Sequence, residues 1–277
     1  MKKIKALAIF NALSLIIHVA VAYMTQLKMI NQKYMGEISA EYETLFTPAG
    51  FTFAIWGLIY VTLATMCLYH IVIAYKHDKS HPANYDLVKM GGLFILVSLA
   101  SAAWLYAWTH EQLTISVALI VLQLIGLLAI HQRLHMYDTF KTAGLKICTQ
   151  FPLSIYAGWI SIATIANISS FLAARQWSGY GIGAEQWVVI MMSFAVLLSI
   201  VMILFKHNIY FGLAIAWGFY GIIVKRETLN PDSYDRIINT AWAGIGIILI
   251  LSVIQLGRNI SLKKSQPIFP SVSQPVK

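Results

Sequence analysis

The side chains best suited to chemistry in this 277-residue chain are aromatic rings set inside apolar runs. Trp56 follows Pro48 by about two helical turns, with Phe53 before it and Tyr60 after it. Trp159 follows Pro152 at a similar spacing, with Asn167 about two turns further on, and Trp104 lies in a third apolar run. An indole offers a flat apolar face and one N–H that needs a partner when buried. Several indoles around a cavity therefore suit a planar hydrophobic ligand held by stacking, and packing within the protein is the other use for any one of them. The two prolines predict that Trp56 sits below one membrane surface and Trp159 below the opposite one. Trp108, Trp177 and Trp187 fit the role of anchors at the membrane–water interface.

Other chemistry is sparse. Asn11, Ser14 and His18 share one helical face by their i, i+3, i+7 spacing. That face must turn toward protein or water, for hydrogen bonding between helices or for ligand contact. His77 with His81, and His131 with His135, have an i, i+4 spacing that can hold a metal on a helix. Histidines in basic loops are ordinarily solvated, so no metal ligand is assigned. Cys67 and Cys148 lie in or at the edge of apolar runs, which argues against a disulfide framework. No catalytic triad, paired carboxylates or phosphate loop is present, so no catalytic residue is assigned and no cofactor is required. No Asp or Glu lies deep in an apolar run, which disfavours a proton-coupled pump.

The elements that must carry these residues are membrane helices. The chain is 58% hydrophobic and 11% charged, too few charges to cover a water-soluble surface. Eight apolar stretches, near residues 5–25, 50–75, 88–109, 113–133, 147–174, 186–205, 208–224 and 240–257, are each long enough to cross a hydrocarbon core of about 30 Å as a helix. The runs are continuous, which favours helices over a β-barrel, because lipid leaves each backbone polar group to find a partner within its own segment. The fold expected is an all-α polytopic bundle of about eight transmembrane helices. The loop at about 26–47, rich in Lys and Glu, reads as a solvated, mobile lid ending at Pro48, which is well placed to open a helix. Residues 265–277 read as a disordered tail. Trp56-Gly57 and Trp217-Gly218, each followed by a tyrosine, are a weak sign of duplicated halves.

The net charge of +9 has no interleaved aromatic patch of the nucleic-acid-binding kind, so the lipid bilayer and not nucleic acid is the partner expected. With the N-terminus inside, fourteen Lys and Arg residues fall on the inner side and six, namely Lys28, Lys33, Arg175, Lys225, Arg226 and Arg236, on the outer side. That asymmetry predicts both termini in the cytoplasm, in a bacterial cytoplasmic membrane. The first span also has the charged start, apolar middle and Ala20-Val21-Ala22 end of a signal peptide. Its length and the interruptions at Asn11, Ser14 and His18 favour a retained helix. Small residues at Gly91-Gly92 and at Ala241, Gly244 and Gly246 allow helices to approach within one chain or between two, so a homodimer stays open.

Two segments resemble a known family. Pro48-Ala49-Gly50-Phe51-Thr52-Phe53-Ala54-Ile55-Trp56-Gly57-Leu58-Ile59-Tyr60 is similar to the second-helix signature of the translocator (TspO) proteins, also called tryptophan-rich sensory proteins. Pro152-Leu153-Ser154-Ile155-Tyr156-Ala157-Gly158-Trp159, with Ala163 and Asn167 beyond, is similar to the fifth-helix signature. The resemblance covers about residues 1–175, a five-helix core, and leaves 176–264 as three additional helices without a counterpart in the five-helix family. It implies a pocket for porphyrins or other planar or sterol-like molecules, closed by the loop before Pro48. By motif, Trp56 and Trp159 are its pocket tryptophans and Asn167 a supporting polar group. The chain departs from the pattern in the third helix, where Ser101 stands three residues before Trp104 in place of an asparagine. No Leu/Val–Tyr–Lys/Arg sterol pattern follows the fifth span, and Val21, Tyr23 and Lys28 match it only elsewhere.

The function expected is binding of a small planar hydrophobic ligand, a tetrapyrrole first, at Trp56, Trp159, Asn167, Tyr60, Phe53 and Trp104. The alternative is a carrier for a small hydrophobic or organic solute, and the resemblance also raises light- or oxygen-dependent porphyrin breakdown.

Overall fold

A computed structural model describes residues 1–136, 141–229 and 233–264. The tail expected to be disordered, 265–277, lies outside the described residues. In chain order the elements are α1 (Lys2–Gln26), α2 (Met35–Glu41), a 3-10 turn (Gly50–Ala54) leading into α3 (Ile55–Lys76), α4 (Pro82–Met90), α5 (Leu93–Thr109) and α6 (Leu113–Leu134). There follow α7 (Ala143–Leu145), a π-helical stretch (Lys146–Gln150), α8 (Phe151–Ala174), α9 (Ala184–Lys206), α10 (Ile209–Leu229) and α11 (Asp235–Lys264). Among the described residues there is no strand.

Among the described residues seven helices are long and apolar enough to cross a membrane, and α4 with α5 passes the same test as a bent pair. The eighth span is thus broken, not continuous over 88–109 as expected. The two pieces meet at 55°, where Gly91 adopts φ 57°, a conformation that glycine accepts without a Cβ clash. Below the break, α4 begins with Pro82 after a His81 cap and is tied to the next loop by Lys141 Nζ, 2.6 Å from Asp86 Oδ2. Ahead of α8, Pro152 supplies no N–H to close an α-turn, and the preceding turn widens into the π stretch.

Large apolar side chains such as Phe205 (72% exposed) and Val253 (71%) cover the outside, as lipid contact requires. The inward faces form one core. Helix α1 packs on α3 and α5, α5 on α6, α6 on α8, and α8 on α10, which in turn packs on α9 and α11. The α8–α10 contact joins the five-helix part to the last three helices. It is close because Gly158 lies against the Phe211 carbonyl and the Ala214 methyl, with no room for a Cβ.

Candidate ligand-binding site

The approach to α3 is fixed from α10. The Ala49 N–H donates to the Gly221 carbonyl at 2.9 Å, the Trp217 indole N–H donates to the Thr52 carbonyl at 2.8 Å, and Thr52 fills the space that a Cβ on Gly221 would need. These contacts set the 3-10 turn that aims Phe53 and Trp56 inward. Trp56 meets Trp159 edge-on at 6.3 Å between ring centroids and Trp104 at 6.3 Å with a 31° tilt. Phe53 meets Trp159 edge-on at 6.3 Å. Asn167 orients this wall. Its Oδ1 accepts from the Trp104 indole N–H at 3.0 Å, and its Nδ2 donates to Ser116 Oγ at 3.1 Å. The Trp159 indole N–H, on a side chain only 2% exposed, has no hydrogen-bond partner among the described residues.

These rings line a cavity between α3, α5, α8 and α10, roofed by Met35, Ser39, Phe46, Thr47 and Pro48. About 50 Å³ of it is open to the centre of a water-sized sphere. That is room for a few waters, against roughly 300–1,000 Å³ for a typical small-molecule site, so this state is closed.

The roof is the segment expected to be a solvated, mobile lid, and it is docked. Lys33 Nζ lies 2.8 Å from Glu41 and 2.7 Å from Glu111, Lys28 lies 2.6 Å from Glu37, and the Tyr42 hydroxyl donates to Glu111 at 2.9 Å. The Trp108 indole N–H donates to the Met35 carbonyl at 3.2 Å and Ser170 Oγ donates to the Tyr42 carbonyl at 3.0 Å, while Ile38 and Phe46 are buried. Hydrogen bonds from Lys33, then from Tyr42, hold the Glu111 carboxyl below its ordinary range, and Lys28, then the Tyr34 N–H, do the same for Glu37. A depressed carboxylate contributes to docking above its unperturbed pKa of about 4.3 and loses that contribution as pH falls through the lower folded value. Backbone amides of residues 35–41 should therefore stay protected at neutral pH and exchange faster, after correction for intrinsic rates, once pH drops below the carboxylate range. Protection unchanged down to pH 3 would show that the buried Ile38 and Phe46 alone hold the lid.

Five of the six expected site residues, Phe53, Trp56, Trp104, Trp159 and Asn167, line the cavity. Tyr60 does not. It stacks behind Trp56 at 5.4 Å, against His18. The placement of Trp56 and Trp159 below opposite surfaces is corrected by their direct ring contact, because the span begins with α7 at Ala143, well before Pro152, and runs through the π stretch into α8, which puts Trp159 at mid-span. Trp108, expected as an interfacial anchor, also lines the cavity beneath the lid. His18 is fully buried among the rings of Trp56, Tyr60 and Tyr156 with neither ring nitrogen hydrogen-bonded, and Ser14 bonds only the Asn11 carbonyl of its own helix. The polar face of α1 thus turns inward without hydrogen-bonding neighbouring helices through these two side chains. His77 and His81 are not on one helix: α3 ends at Lys76 and His81 caps α4. Among the described residues no three His, Cys, Asp or Glu groups cluster as a metal site.

Sequence reasoning missed Gly218 and Ile222 of α10, which complete the cavity wall. The Trp217-Gly218 pair was the available signal. Its glycine packs against Ile162, whereas Gly57 in the matching Trp56-Gly57 pair faces open space, so the two pairs do different work.

A bundle of membrane-spanning helices that encloses an indole-walled cavity beneath a docked extramembrane lid defines a class of integral membrane protein built around a buried hydrophobic site. The chain belongs to the TSPO-like protein family, whose model matches residues 8–254. The match runs from α1 into α11, so the family pattern extends past the first five spans. No curated protein and no solved structure matches the chain.

Proposed function

We propose that this protein binds a hydrophobic molecule with a planar aromatic body, with a porphyrin-like tetrapyrrole as the first candidate, between Trp56, Trp104 and Trp159. The carrying observation is the Trp159 indole N–H, buried at the cavity wall and without a partner. A buried donor left unmade costs about 1–3 kcal/mol, and a ligand acceptor reaching it recovers part of that cost. Binding requires the roof to lift. Its salt bridges involve partly exposed side chains and each contributes little, so opening is accessible. The protein sits in a bacterial cytoplasmic membrane with both termini inside, by the charge asymmetry of the loops.

The test is titration of detergent-solubilised protein with protoporphyrin IX, followed by tryptophan quenching and the porphyrin spectrum, beside a membrane protein that does not bind porphyrin. Saturable binding is expected, and Trp159→Phe should weaken it about tenfold by removing ring area and the N–H. Quenching equal to that of the inert protein would reject the assignment.

A further inference from the structure

Beside the closed cavity lies a larger cleft between the lid-side ends of α8 and α9, with a volume of about 760 Å³, within the range of small-molecule sites. One wall is apolar: the Trp177 and Trp187 rings meet edge-on at 5.0 Å with their planes 67° apart, so each offers a separate ring face or edge to the cleft. The other end is charged, with Arg226 of α10 and Glu43 of the strap that follows α2. That strap is the partition between the two spaces. Glu43, Thr44 and Leu45 line the cleft, and the next three residues line the cavity.

From α10 the strap is held by one carboxylate between two cations, beside weaker 3.5 Å hydrogen bonds from Arg226 Nη2 to the Thr44 and Thr47 carbonyls. Arg226 Nη2 lies 2.8 Å from Glu43 Oε1, and Lys225 Nζ lies 3.2 Å from Glu43 Oε2. The Arg226 side chain is only 2% exposed, and its Nε has no hydrogen-bond partner. A guanidinium favours a carboxylate across two parallel N–H donors, and here Nε is left unused. Another carboxylate can replace Glu43 at little net cost, since one anion leaves the cations as another arrives.

We infer that the α8–α9 cleft is a binding site for an amphipathic carboxylate with an apolar body, and that this carboxylate displaces Glu43 from Arg226 and loosens the strap. The cleft is then the vestibule through which the ligand reaches the cavity. The inference rests on the ligand-binding reading of that cavity. The body lies on Trp177 and Trp187 while the head exchanges with Glu43. Release of the strap moves Phe46 and Pro48 out of the roof.

Two measurements test this. In stopped-flow quenching, protoporphyrin IX should associate about tenfold faster than its neutral dimethyl ester, and Arg226→Gln should erase the difference. Equal rates for acid and ester in the unmodified protein would overturn the exchange. Independently of any porphyrin, a cavity cysteine, Ala166→Cys in a Cys67→Ala, Cys148→Ser background, should react with a small methanethiosulfonate about tenfold faster when Glu43→Gln loosens the strap. It should react more slowly when Ala173→Trp fills the cleft. Because Glu43→Gln leaves the buried Arg226 short of its anion, at a cost to folding, Ala173→Trp serves as the second arm. Labelling unaffected by the filled cleft would overturn the vestibule. Absence of saturable porphyrin binding would reject the cavity assignment and the carboxylate exchange, while labelling still decides the route.

Discussion

Gly158→Ala is expected to destabilise the protein by about 2 kcal/mol, the middle of the range for forcing an extra methyl group into a packed core. The new methyl would meet the Phe211 backbone carbonyl and lie 2.9 Å from the Ala214 Cβ. Neither neighbour can rotate aside, since one is backbone and the other has no further torsion. The strain must separate α8 from α10. Separation moves Gly218 and Ile222 away from the cavity, so ligand affinity should fall along with stability. Gly57→Ala is the matched control. A Cβ there meets nothing within 4 Å, and alanine is the better helix former by about 1 kcal/mol. Unfolding of both variants in detergent with increasing denaturant makes the comparison, and a Gly158→Ala protein as stable as Gly57→Ala would disprove the close approach.

Asn167→Leu should cost about 1–2 kcal/mol and disorder the cavity wall. The substitution strips the Trp104 N–H of its acceptor and Ser116 Oγ of a donor, both in the buried interior. An unsatisfied buried group costs about 1–3 kcal/mol, although hydrogen bonds between membrane helices often contribute less than 1 kcal/mol. The larger consequence is geometric, because the Trp104 ring loses the bond that fixes its tilt against Trp56. Near-UV circular dichroism should lose intensity, and porphyrin affinity should drop at least as far as with Trp159→Phe. Trp104→Phe removes the orphaned donor, so in the double variant the two losses should sum to less than additivity requires. Strict additivity would mean that Asn167 and Trp104 act separately.

Much of the fold was legible because hydropathy measures length against a bilayer, and a run of apolar residues has few other stable uses at that length. All eight expected spans have a helical counterpart. Hydropathy is silent on which side of a helix meets lipid and which meets protein, since both sides are apolar. For that reason Ile222 gave no sign of lining a cavity, Gly218 showed only through the Trp217-Gly218 pair, and Phe53, Trp56 and Trp159 stood out by their placement after a proline and by a motif shared with a family. The break at Gly91-Gly92 was hidden because glycine also serves close helix contacts. The docking of the lid was hidden because its anchors, Glu111 and Ser170, lie far away in sequence from Lys33 and Tyr42.

Four of the eight tryptophans form a continuous series: Trp159 to Trp56 at 6.3 Å, Trp56 to Trp104 at 6.3 Å, and Trp104 to Trp108 at 6.2 Å. Excitation hops between indoles at such separations faster than it is emitted, so light absorbed by any of the four is radiated by whichever ring has the lowest excited state. The series behaves optically as one chromophore running from mid-span to the lid. An acceptor seated against a single ring would darken all four, and lifting the Met35 carbonyl from Trp108 would alter the colour of the whole array. Lid opening should therefore be readable as a shift in the intrinsic fluorescence of this series.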